Sequence, residues 1–211
     1  MRKFYTAALI LTFALVSLAT AQPQTKHMRA EGEVIELMLL RQKSVREELK
    51  IEPAASKKIF EFTHKQQQAA ADVHSLPEAK QKEKWTEMIK QNDEFLRTTL
   101  NSEQRKRLDQ IAMHCAGLLV VTRTTIASEL KLTSEQKTKA VKMQREAHDK
   151  VAEIIHAKSS EGRNEKLAEF RKTSDEQLVK LLTDEQQRKW KEMAGDAFKG
   201  KLVFEEIEKG K

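Results

Sequence analysis

The chain has 211 residues, with 39 Lys+Arg against 32 Asp+Glu, three prolines, six glycines and one cysteine. The lone Cys115 excludes an internal disulfide, and eight Phe, two Trp and one Tyr are too few for an aromatic-rich interior, so the core has to be built from Leu, Ile, Val, Met and Ala. A formal charge of +7 with both signs interspersed points to solvated helix faces and, for an exported chain, to anionic envelope surfaces or acidic protein segments rather than nucleic acid.

Residues 1–21 read as a secretory signal peptide: Arg2 and Lys3 precede an apolar run over 4–18, and Ala19-Thr20-Ala21 is a small-x-small cleavage site. Cleavage near Ala21 would deliver the chain to the periplasm or the exterior. Without Arg2 and Lys3 the remaining 190 residues carry 37 basic and 32 acidic side chains, a net +5. No later run approaches the ~20 apolar residues of a membrane span, so no stable membrane insertion is expected.

Residues 22–36 form a lead segment. Ser44, paired with Glu47, is expected to cap a short helix that runs into Glu48-Leu49-Lys50-Ile51. Pro53 opens a longer helix with Ile59, Phe62, Ala69 and Val73 along one face, which Ser75-Leu76-Pro77 ends. The next carries Trp85, Met88, Ile89, Phe95 and Leu96, and another lines up Leu108, Ile111, Ala112, Cys115 and Leu119. Thr125 is expected to cap a second short helix. From Ser134 a helix presents Ala140, Met143, Ala147, Val151 and Ile154, and a turn-rich break covers 159–164. Leu167, Phe170, Leu178 and Leu181 line the following helix, and a last short one holds Trp190 and Met193 before Gly195. Residues 201–206 read as coil or a short strand within a tail, 201–211. The fold class is therefore all-α. Narrow apolar stripes suit elongated helical hairpins, and a helix of ~25 residues reaches roughly 37 Å.

The chain repeats itself at an offset of 81 to 82 residues. Glu48-Leu49-Lys50-Ile51 matches Glu129-Leu130-Lys131-Leu132, and Leu100-Asn101-Ser102-Glu103-Gln104 matches Leu182-Thr183-Asp184-Glu185-Gln186. This divides the chain into two tandem units of about 82 residues, 37–117 and 118–200, expected to pack as a pseudo-dimer. The matching words are helix-start chemistry. Thr133 with Gln136, Thr183 with Gln186 and Asn101 with Gln104 each have capping-box spacing, with Leu132, Leu182 and Leu100 just before the cap. In the first unit Glu52-Pro53-Ala54-Ala55 stands at the place of Thr133 to Gln136 and lacks the cap pair.

Leu132-Thr133-Ser134-Glu135-Gln136 and Leu182-Thr183-Asp184-Glu185-Gln186, starting 50 residues apart, resemble the paired L-T-x-x-Q motifs of the periplasmic Spy/CpxP family. The resemblance covers both units, the first as a decayed copy, whereas family members usually carry one pair per chain. It implies an all-helical envelope stress-response protein. Spy-like members form curved dimers of hairpins and hold unfolded or folding clients without ATP. CpxP-like members act as accessory inhibitors of a sensor kinase, and related members sense metal ions. The expected function is chaperone-like binding of unfolded or envelope proteins; a periplasmic metal- or signal-sensing regulator, or a structural module of the envelope, is the alternative. Homodimerisation stays open.

Candidate client-binding residues are Phe60, Phe62, Met88 and Ile89, all of which also suit a core. The six histidines, His27, His64, His74, His114, His148 and His156, form no H-x-x-x-H pair, and the neighbours Met113, His114 and Cys115 splay about 100° apart on a helix. Cys115 falls on an apolar stripe, the place of a buried free thiol. The sequence has no Gly-rich phosphate loop and no nucleophile motif. No metal, cofactor or catalytic residue is assigned, and the chain reads as non-enzymatic.

Overall fold

The structure, a computed structural model, describes residues 27–73, 75–155 and 162–202. The signal-peptide segment, residues 22–26, His74, His156 and residues 203–211 lie outside the described residues, as do the side chains of His27, His148, Val151 and Leu167. Among the described residues there are nine α-helices and no strand: α1 (His27–Leu40), α2 (Lys43–Glu48), α3 (Pro53–Val73), α4 (Glu78–Thr99), α5 (Ser102–Val120), α6 (Thr124–Glu129), α7 (Ser134–Ile155), α8 (Arg163–Leu181) and α9 (Asp184–Ala194). The all-α class holds.

Two antiparallel hairpins, α3/α4 and α7/α8, are each backed by a further helix. Helix α1 packs on α3 and α4, α5 packs on α7 and α8, and α1 and α5 pack on each other, with α9 closing against α5. One contiguous core fills the middle, built from Ile35, Leu39 and Leu40 of α1, Val45 and Ile59, and Leu108, Ile111 and Val120 of α5. A smaller cluster of Ala70, Val73 and Met88, with Ala69 and Trp85 against it, sits in the α3/α4 hairpin. The 22 residues of α7 span roughly 33 Å.

Helix α1 is an element that the sequence did not announce. Most of the lead segment belongs to it, and its buried Leu37, Leu39 and Leu40 stand 81 residues before the buried Leu118, Val120 and Val121 at the end of α5. Helix α5 therefore has two parts. Its start matches α9, with the same capping-box geometry, and its end matches α1. The backbone breaks helical geometry between them, at Ala116 (φ −138°, ψ 30°), one residue before the buried Gly117. A Cβ on Gly117 would come within 3.0 Å of the Leu178 side chain and 3.4 Å of Trp190.

The word Glu-Leu-Lys ends helices as well as preceding them. Lys50 and Lys131 both adopt the left-handed conformation, φ 51° and 52°. Ile51 N–H donates to the Arg46 carbonyl (2.9 Å) and Lys50 N–H to that of Glu47 (3.0 Å); Leu132 does the same to Ala127 (2.9 Å) and Lys131 to Ser128 (3.0 Å). These are Schellman caps with lysine in the seat that glycine usually takes. They end α2 and α6 and turn the chain in four residues toward α3 and α7.

The expected side-chain caps on the short helices are not formed. Helix α2 begins at Lys43 with Gln42 as its cap residue, and α6 begins at Thr124 with Arg123, neither with a side-chain cap bond. Ser44 and Thr125 thus lie inside the first turn, and the Ser44 hydroxyl donates to the Lys201 carbonyl instead (2.7 Å). That contact ties the chain after α9 to α2 and places Leu202 in the core.

Candidate functional site

The L-T-x-x-Q words meet in space. Thr133 and Thr183 begin α7 and α9, and each closes a capping box. The Gln136 and Gln186 N–H groups donate to the Thr133 and Thr183 hydroxyls (3.1 and 3.3 Å), and the threonine N–H groups donate back to the glutamine Oε1 atoms (3.0 and 2.9 Å). The two glutamine amides then pair with each other. Gln136 Nε2 donates to Gln186 Oε1 (2.6 Å) and Gln186 Nε2 to Gln136 Oε1 (3.0 Å). Their second amide hydrogens go to the Leu181 and Leu130 carbonyls at the ends of α8 and α6 (2.9 and 3.1 Å). Each amide makes four hydrogen bonds, its full inventory. The ends of four helices are fastened there, with Leu130, Leu132 and Leu182 buried beneath.

In the first unit half of this arrangement is present. Asn101 and Gln104 form a capping box (2.9 and 3.1 Å), and Gln104 Nε2 donates to the Leu49 carbonyl (3.0 Å), as Gln186 does to Leu130. Ala55 stands where Gln136 would, so no second amide meets it. An ion pair recurs beside each box. Arg107 donates from Nε to Glu48 (2.6 Å), and Lys189 lies 3.8 Å from Glu129 at the matching place. Arg107 also donates to the Asp196 carbonyl (2.8 Å), joining α2, α5 and the segment after α9. These motif residues are held by one another, which is a structural task.

The four candidate client-binding residues divide. Phe60 is exposed (44 %) on α3, with the Arg46 guanidinium 4.5 Å above its ring. Phe62 is half-buried and stacked on Phe95 across the hairpin, centroids 3.9 Å apart. Ile89 is half-buried. Met88 is an interior residue, 6 % exposed between Ala70 and Val73, and its reading as a surface residue is corrected by that packing. Val179 of α8 is the other large apolar side chain standing in solvent among the described residues.

Cys115 is a buried free thiol, and burial pushes it up to about 11. Its neighbour His114 points elsewhere, donating from Nε2 to the Gly195 carbonyl (3.3 Å). His64 is exposed on α3. Among the described residues no three His, Cys, Asp or Glu side chains gather as an ion-binding group.

The sequence did not reveal two buried polar arrangements. Gln144, on the inner face of α7, donates from Nε2 to the Leu118 carbonyl (2.7 Å) and to Thr122 Oγ1 (3.0 Å), capping the end of α5. Glu36, 4 % exposed on α1, receives both terminal nitrogens of Arg123, the residue before α6. Burial is the largest influence on Glu36 and raises its carboxyl to about 7; Arg123 opposes that and Asp109 of α5 adds to it. Asp109 is also raised by its crowded surroundings, yet it keeps a solvent-exposed side, so Glu36 is the more strongly desolvated of the two. A spacing of 87 residues separates Glu36 from Arg123, and no local pattern signals such a pair.

No helix among the described residues is long and apolar enough to cross a membrane. Compared with protein-family models, with characterised proteins and with solved structures, this chain finds no match.

Proposed function

We propose that the chain is an exported, non-enzymatic helical protein that holds unfolded or partly folded envelope proteins without ATP, built as two fused units of the L-T-x-x-Q kind that pack as a pseudo-dimer. The observation that carries the binding is Phe60, a solvent-exposed aromatic on a hairpin, with a cation seated over its face. Such a ring offers an apolar contact, and its guanidinium rim attracts acidic segments of a client. The duplicated architecture is supported by the repeated order of short helix, left-handed lysine, hairpin and capped helix, and by the recurring ion pair. Export rests on residues 1–21, read from sequence.

The test uses residues 22–211 and a chemically unfolded client that aggregates on dilution. Light scattering is expected to fall when the protein is present in several-fold molar excess, and Phe60→Ser is expected to lose most of that effect while keeping the wild-type helical spectrum. No suppression at ten-fold excess would end this reading.

A further inference from the structure

The cluster of Glu36, Arg123 and Asp109 is built from three elements and is unbalanced. Glu36 comes from the interior face of α1, Asp109 from α5, and Arg123 from the joint between α5 and α6. Two carboxyl groups share one guanidinium. Arg123 spends both terminal nitrogens on Glu36, and its Nε is buried without a hydrogen-bond partner. The other charges nearby are occupied. Arg46 of α2 donates to the Leu40 and Arg41 carbonyls at the end of α1, Arg41 donates to Gln67 of α3, and Arg105 of α5 acts on Asp109. The charges that act on Glu36 are Arg123 and Asp109, and none of them comes from α3 or α4.

Two desolvated carboxylates beside one cation favour retention of a proton, and coupled groups of this kind titrate as a unit. With Glu36 neutral, Asp109 alone balances Arg123. With both ionised, α1 holds an uncompensated negative charge against the core. When α1 lifts away, Glu36 reaches water and returns to its ordinary range.

We propose that seating α1 against the α5–α6 joint takes up a proton at this cluster, so that the contact is tightest in mild acid and loosens as the solution becomes alkaline. The direction follows from linkage. Glu36 is raised in the seated state, from its ordinary 4.5 to about 7, so its favourable contribution is complete below 4.5 and is lost as pH rises through 7. The opening equilibrium of α1 can change by up to about 300-fold across that window, at ten-fold per pH-unit difference.

The experiment is amide hydrogen exchange of residues 34–40 in the protein 22–211 between pH 5 and 8.5, corrected for intrinsic exchange. Wild-type protection is expected to fall as pH rises, levelling above 7.5. Glu36→Gln is expected to remove that slope, and Asp109→Asn to keep it with the midpoint moved to lower pH. Protection that stays constant or grows with pH in the wild type overturns the proposal, as does a slope that survives in Glu36→Gln. If Glu36→Gln does not fold, the Asp109→Asn midpoint decides, and a midpoint that does not move overturns it. Client binding through Phe60 does not enter these readouts.

Discussion

Replacing Gln136 with Ala removes a side chain that makes four hydrogen bonds: to the Leu181 carbonyl, to and from the Gln186 amide, and from the Thr133 N–H. At about 0.5–1.5 kcal/mol each, with the exposed Thr133 group regaining water, the loss comes to about 2–4 kcal/mol. Gln104→Ala removes one bond from Asn101 N–H and one to the Leu49 carbonyl, and is expected to lose about 1–2 kcal/mol. The two bonds between Gln136 and Gln186 are lost in either single variant. The double variant should therefore be less destabilised than the sum of the singles, by about 1–2 kcal/mol. Urea unfolding of the four proteins measures this, provided that the slope with denaturant stays constant. The converse change, Glu52→Thr with Ala55→Gln, supplies the first unit with the missing box and should raise stability by about 1 kcal/mol. Gln136→Ala losing no more than Gln104→Ala, or singles that add within about 0.3 kcal/mol, would show that the amide pair is not the fastening described.

Other consequences are more local. Lys50→Gly and Lys131→Gly relieve a left-handed lysine and should each raise the urea midpoint, by about 1 kcal/mol in stability at most. Gly195→Ala should destabilise by about 1–3 kcal/mol in the same assay, because its backbone (φ 60°, ψ −150°) suits glycine alone and the added Cβ would lie 2.5 Å from Gln110 Nε2. Cys115, buried and raised to about 11, should react with a thiol reagent at pH 8 at least ~100-fold more slowly in the folded protein than after denaturation; equal rates would place it at the surface.

Local chemistry made much of this legible. Asn101, Thr133 and Thr183 were found as helix starts because a capping box is written within four residues. Pro53 opens α3, and Ser75-Leu76-Pro77 separates α3 from α4, for equally local reasons. Ser44 and Thr125 were misplaced by two residues because a capping residue followed by an acid is not sufficient. The preceding turn already positions α2, with Arg41 and Gln42 N–H groups bonded to the Met38 and Leu39 carbonyls. Helix α1 stayed hidden because its apolar face is interrupted by Glu36, whose partner stands in another element. Met88 illustrates a different limit. Helical periodicity gives the buried face of α4 but does not say which residues a second helix will cover, and α3 covers this one.

Helix α5 closes the first hairpin's bundle and, past Ala116, supports the second. Continuous main chain thus turns the meeting of two modules into an intramolecular event, with an effective local concentration that dilution cannot lower. Modules tied in this way need not resemble each other to stay together, and one can lose a fastening while its neighbour holds the assembly in register. Ala55, standing opposite a glutamine that still makes its half of the contacts, is what such tolerance leaves behind.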